Sequence, residues 1–106
     1  MAKFLIKGSY SVDGARGLIK EGGSARQAAI EKALAGIGGH LESIYYAFGE
    51  FDVYVIAEVP DAISGLALSL TVNASGAASA TTIPLLTVQD VDAACKKTVS
   101  YRGAGA

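Results

Sequence analysis

The residue types that can do chemistry are few in this chain, and most gather around one stretch. Phe48-Gly49-Glu50-Phe51-Asp52-Val53-Tyr54-Val55-Ile56 brings two carboxylates and three aromatic rings together. Asp52 has the chemistry of a general base or hydrogen-bond acceptor at a cavity mouth. Gly49 and Asp52 also meet the plain needs of a tight turn, glycine supplying positive φ and aspartate accepting backbone N–H groups. No neighbouring residue supplies Asp52 with a catalytic partner. Tyr45, Tyr54 and Ile56, joined by Lys7, Ser9 and Glu58, have the character of a small-ligand pocket, mostly apolar with a few polar tips. Subunit packing makes the same use of tyrosine.

Other candidates are weaker. His40 is the single histidine and follows two glycines. A metal or catalytic role would need companions, and Cys95 has no ligand spacing to it. No metal and no cofactor is expected, and Cys95 reads as a small core residue on a helix. Gly22-Gly23-Ser24-Ala25-Arg26 offers N–H donors at a helix start with a cation nearby, which is the chemistry of an anion site. It lacks the spacing and the Lys-Ser/Thr ending of a phosphate-binding loop. Every helix start has such donors, so a plain helix junction explains the stretch as well.

The elements that must position these residues follow from pattern. At 106 residues and 51% apolar, the chain is expected to form one domain over 1–100, with 101–106 as a frayed tail. A net charge of −1 with interspersed signs gives no footprint for nucleic acid or for an anionic membrane. No apolar run approaches a membrane span, and Met1-Ala2-Lys3-Phe4 leads into strand-like sequence without a signal-peptide pattern. With one unpaired cysteine, cytoplasm is the expected compartment.

Lys3 to Tyr10 alternates as a strand. Asp13 is a plausible N-cap for a helix with Ala15, Leu18 and Ile19, stopped by Gly22-Gly23. Ser24 and Gln27 match a capping box for a second helix carrying Ile30, Ala33, Leu34 and Ile37 on one face. Gly38-Gly39 stops it. His40 to Phe48 and Asp52 to Val59 read as paired strands around a two-residue Glu50-Phe51 turn. That register sets Phe48 against Val53, Tyr46 against Val55 and Ile44 against Ala57, facing the helices. Ser43, Tyr45, Ala47, Tyr54, Ile56 and Glu58 then share the opposite face, and a slip by one would exchange the two sets. Asp61 caps a third helix with Ile63, Leu66, Ala67 and Leu70 inward, closed by Asn73 and Gly76. Ala78 to Leu85 is a weaker strand with Pro84 near its end or on an edge. Thr87 starts a last helix with Val91, Ala94, Cys95 and Thr98 on its apolar face.

The order β-α-β-β-α-β plus a C-terminal helix predicts an α+β, ferredoxin-like fold with helices on one sheet face. An aromatic open face needs a cover, and a second copy is the commonest one, so a homodimer or higher oligomer is expected.

Gly49-Glu50-Phe51-Asp52-Val53, followed by Pro60-Asp61 and by Gly76…Thr81-Thr82…Leu85, resembles the GYD-domain family, named for a glycine-tyrosine-aspartate signature. The resemblance runs from Lys3 to about Thr87. It implies membership of the dimeric α/β-barrel superfamily, in which two ferredoxin-like sheets pack face to face, and it implies no established activity. Phe51 stands where the signature has tyrosine, so ring packing survives and any phenol chemistry there does not. Two roles remain: a non-enzymatic dimeric module that binds a small organic molecule or serves assembly, and a cofactor-independent oxygenase or isomerase using the cavity between the sheets. The lack of a His, Cys or carboxylate cluster favours the first.

Overall fold

The computed structural model describes residues 1–105, and the last residue of the tail lies outside them. Its eight elements are β1 (Ala2–Tyr10), α1 (Val12–Glu21), α2 (Gly23–Gly36), β2 (His40–Tyr46), β3 (Val53–Val59), α3 (Ala62–Ala74), β4 (Ala78–Leu85) and α4 (Val88–Cys95). β3 is the strand that the core is built on. Its residues alternate buried and half-buried along its whole length, as period-2 apolar patterning demands. Val53, Val55, Ala57 and Val59 form the core with Leu34 of α2, flanked by Phe4, Ile6, Ile30, Ile37, Leu41, Ile44 and Leu68. The sheet order is β2-β3-β1-β4, with every pairing antiparallel. With α2 and α3 packed against this one face and α1 beside α2, the chain has the α+β, ferredoxin-like architecture. Pro84 sits on the edge strand β4, where a missing N–H costs no ladder bond.

The central hairpin differs from the two-residue turn expected. β2 stops at Tyr46 and the loop runs from Ala47 to Asp52, closed by the Ala47 N–H donating to the Asp52 carbonyl at 2.8 Å. The pairs are therefore Tyr46 with Val53 and Ile44 with Val55, two residues from the anticipated register. A shift of two keeps each side chain on its face, so the division into core and open faces holds while every partner changes. Phe48 is in the loop and fully exposed, not paired to Val53. Gly49 is not among the glycines at positive φ, so the longer loop removes the demand that a tight turn would have made. A register shift between Leu41 and Ser43 marks a bulge at Glu42. It lets Leu41 and Ile44, three residues apart, both face the core.

Helix boundaries differ in instructive ways. Ser11, not Asp13, caps α1, its Oγ accepting from the Gly14 N–H. Gly22 at φ +86° ends α1 and begins α2 at once, leaving no loop for Ser24 to cap from. α3 is capped by Asp61 as expected, but it turns a different face to the sheet. Ile63, Leu66 and Leu70 are 79%, 59% and 60% exposed, while Gly65 is buried and Leu68 packs on the core. α3 is apolar all round, so periodicity could not choose its face. Gly65 chooses it, because a Cβ there would lie 2.8 Å from the Phe4 ring and only glycine lets the helix come that close.

α4 begins with a complete capping box between Thr87 and Asp90 and ends at Cys95, before Thr98. None of its residues is buried, and Cys95 is exposed rather than in the core. A self-sufficient cap lets a short helix form without a surface to rest on. The C-terminal arm lengthens the molecule: the radius of gyration is 16.9 Å, against about 13 Å for a compact chain of this length. Among the described residues, no helix is long and apolar enough to cross a membrane.

Candidate functional site

The sheet face away from the helices is laid out by strand register. Tyr45 of β2 stands opposite Tyr54 of β3, Tyr54 opposite Lys7 of β1, and Lys7 opposite Thr81 of β4. This gives one polar-tipped row across all four strands. The next row is Ser43, Ile56, Leu5 and Ile83, with an apolar middle. Phe51 reaches the first row from the loop. Its ring meets Tyr54 edge-on at 6.1 Å and 74°, and the Lys7 ammonium lies 4.7 Å from its centre. A cation over an aromatic face is held by the ring quadrupole, so Lys7 has a fixed position without a carboxylate partner. Tyr45 is 73% exposed at the open end of this row.

The residues proposed for a pocket are thus only partly brought together. Tyr45, Tyr54, Lys7 and Ile56 are neighbours, and Ser9 lies two residues along β1, opposite Ser79. Glu58 is at the far end, four residues or about 13 Å along the strand from Tyr54. There its carboxylate lies 3.1 Å from His40 Nε2 and 3.8 Å from Lys3 Nζ, which also pairs with Glu42 at 3.0 Å. The Lys3 ammonium has its pKa raised, chiefly by the hydrogen bond to Glu42. His40, solitary in the sequence, is therefore a cross-strand partner of Glu58. Among the described residues, no three His, Cys, Asp or Glu side chains converge as a metal set.

The signature residues separate. Phe51 joins the open face, whereas Asp52 turns to the helix side. Its N–H donates to the Gly8 carbonyl at 2.9 Å, and its Oδ2 accepts from the Tyr10 N–H at 2.8 Å. The Asp52 carboxylate therefore pins the loop to the end of β1, while its backbone carbonyl closes the hairpin loop. Gly49, at the exposed loop apex, has nothing within 4 Å of where a Cβ would be.

Asp52 also lines a crevice of about 390 Å³ with Tyr10, Leu18, Ile19 and Tyr46. The Tyr46 hydroxyl donates to the Gly23 carbonyl at 3.0 Å and holds the α1–α2 junction against β2. Burial pushes the Tyr10 phenol above its ordinary pKa; Tyr46 adds to the shift and Arg26 opposes it. Tyr10 therefore stays a neutral hydrogen-bonding group. Sequence reasoning missed Tyr10, the approach of Arg26 to it, and the joining of His40 and Glu58 with Lys3 and Glu42 in one cluster. Each depends on pairing between distant strands or helices, which local pattern does not carry.

No curated protein and no solved structure matches the chain. The GYD-domain model matches residues 4–95, from Phe4 in β1 to Cys95, the last residue of α4. That span includes the Asp52 clamp, the aromatic row and the sheet that carries both, and on it the chain belongs to the GYD-domain family.

Proposed function

We propose that the chain is a self-associating module in which two copies meet through the open sheet face, as a dimeric α/β barrel, and hold a small organic molecule between the sheets. The observation that carries this reading is the uncovered row Tyr45–Tyr54–Lys7 with Phe51 against it, on a sheet whose core-packed helices α2 and α3 lie on the other face. Exposed apolar and aromatic patches of this kind mark interaction surfaces. Strands of seven to nine residues make a sheet about 20 Å by about 25 Å. That plan area is of the order of 500 Å². Leu86, Val88, Val91, Val99 and Tyr101 of the exposed C-terminal arm add apolar surface, bringing the total toward the roughly 800 Å² per partner of a stable interface.

Residues 1–100 act in this reading as one folding unit and 101–106 as a tail, in a cytoplasmic setting. Catalysis by a cofactor-independent oxygenase or isomerase is the rival. It would need a free base at the aromatic row, and Glu58 is engaged by His40 and Lys3 at the other end of the face. Tyr54→Ala separates pocket from packing. A ligand found by native mass spectrometry of the purified protein should lose affinity in this variant while the dimer persists. If Tyr54 only packs, dimer stability falls instead by about the 3–5 kcal/mol of aromatic truncation, and the ligand-holding part of the proposal is wrong.

A further inference from the structure

The open sheet face carries one charge that nothing in the chain balances. β1 puts two lysines on this face. Lys3 is shared by Glu42 and Glu58, whereas Lys7 makes no ion pair among the described residues. The Phe51 ring, 4.7 Å away, fixes the Lys7 ammonium but brings no negative charge to it. The carboxylates that could have done so are engaged or distant. Asp52 accepts from the Tyr10 N–H on the helix side, and Glu50 in the loop does not come within 4.0 Å. Glu58 stands opposite Lys3, about 13 Å along the strand.

The groups beside Lys7 have matching chemistry. The Tyr54 phenol on β3 and the Thr81 hydroxyl on β4 flank it in register. All three side chains can donate, and among the described residues none of their polar tips is hydrogen-bonded to the protein. Hydroxyl donors on either side of an ammonium suit an oxyanion. The next row, about 7 Å along the strands, is apolar at Leu5, Ile56 and Ile83. Beyond it, Glu42 and Glu58 set two carboxylates against Lys3. The face thus runs from a cationic end, across an apolar strip, to an acidic end. When two such sheets close on each other, each Lys7 leaves water, and an ammonium there without a counter-charge is strongly unfavourable. The second copy brings the same cation and the same engaged carboxylates.

We propose that the molecule held between the sheets is a small monocarboxylate, its carboxylate on Lys7 between Tyr54 and Thr81 and its apolar body over Leu5 and Ile56. This rests on the two-sheet reading above and adds the ligand's charge, its length and its single anionic end. Amide NMR titration of the full chain with octanoate tests it, beside sedimentation of the same samples. Octan-1-ol lacks the charge, and octanedioate carries a second carboxylate toward Glu42 and Glu58. Octanoate should saturate, shifting the amides of Leu5, Tyr54 and Ile56 and not that of Leu34, and both other probes should bind at least roughly tenfold more weakly. Lys7→Met keeps a long side chain on Phe51 without its charge. It should weaken octanoate by roughly tenfold or more, leave octan-1-ol unchanged and leave the dimer at least as tight. Lys7→Arg should restore octanoate binding, and Glu58→Gln should strengthen octanedioate severalfold without affecting octanoate. A dimeric parent that binds no octanoate, or binds octan-1-ol as well, overturns the proposal and leaves the two-sheet reading standing. So does octanoate affinity indifferent to Lys7→Met, or a dimer that Lys7→Met weakens, since Lys7 would then answer a carboxylate of the second copy. Octanedioate binding unmoved by Glu58→Gln overturns the single anionic end. A strictly monomeric parent overturns both readings.

Discussion

Asp52 joins segments that lie 42 residues apart, because its carboxylate is the acceptor for the Tyr10 N–H where β1 leaves the sheet. Removing it leaves a half-buried donor unpaired, so Asp52→Ala should cost about 1–3 kcal/mol in urea unfolding, and Asp52→Asn, which keeps an acceptor, distinctly less. Equal midpoints for Asp52→Ala and the parent would show that the clamp contributes nothing. A second residue-scale expectation concerns glycines. A Cβ at Gly39 would fall 2.4 Å from the Glu58 carbonyl oxygen, while one at Gly49 would meet nothing. Thermal melts should therefore show Gly39→Ala well below Gly49→Val, the latter close to the parent. From the sequence alone Gly49 looked like the sensitive position, since a short turn demands positive φ. The carboxylate of Asp52 was legible as an acceptor, but not its donor, because the pairing of β1 with β3 is nowhere written in neighbouring residues.

At the scale of elements, the strands and the number of helices were legible because their apolar periods and glycine stops are local signals. Faces were legible only where one side is polar. α2 places Leu34, Ile30 and Ile37 on the core as its spacing implied. α3, apolar on every side, was settled by one close approach at Gly65. Its start was plain: Asp61 Oδ1 accepts from the Ser64 N–H at 2.8 Å, and that bond lowers the Asp61 pKa below its ordinary 3.8. A depressed carboxylate stabilises the fold above its ordinary value and loses that contribution as pH falls through the lower folded-state value. The parent should accordingly lose stability on acidification below about pH 4 more steeply than Asp61→Asn, whose amide caps without titrating. The difference should shrink in salt, since the group is exposed. Parallel pH profiles for the two proteins would remove the cap from the acid response.

For the whole molecule, the apolar content exceeds what one copy encloses. Among the described residues five hydrophobics are buried, while Ile63, Leu66, Leu70, Val91 and Tyr101 remain largely in water. Nor are all sheet edges equally open: Asn73 bonds both the N–H and the carbonyl of Ala80 on β4, blocking part of that edge against another strand. The proposed dimer accordingly uses the sheet face rather than the β4 edge. Sedimentation equilibrium at micromolar concentration, on the parent and on Ile56→Glu, tests this most directly. Ile56 lies in the apolar middle row, where a buried unpaired carboxylate is strongly unfavourable between packed sheets and harmless on a solvated one. The account predicts a dimer, or a multiple of it, for the parent and a folded monomer for Ile56→Glu. A monomeric parent, or a dimer that Ile56→Glu leaves intact, would contradict it.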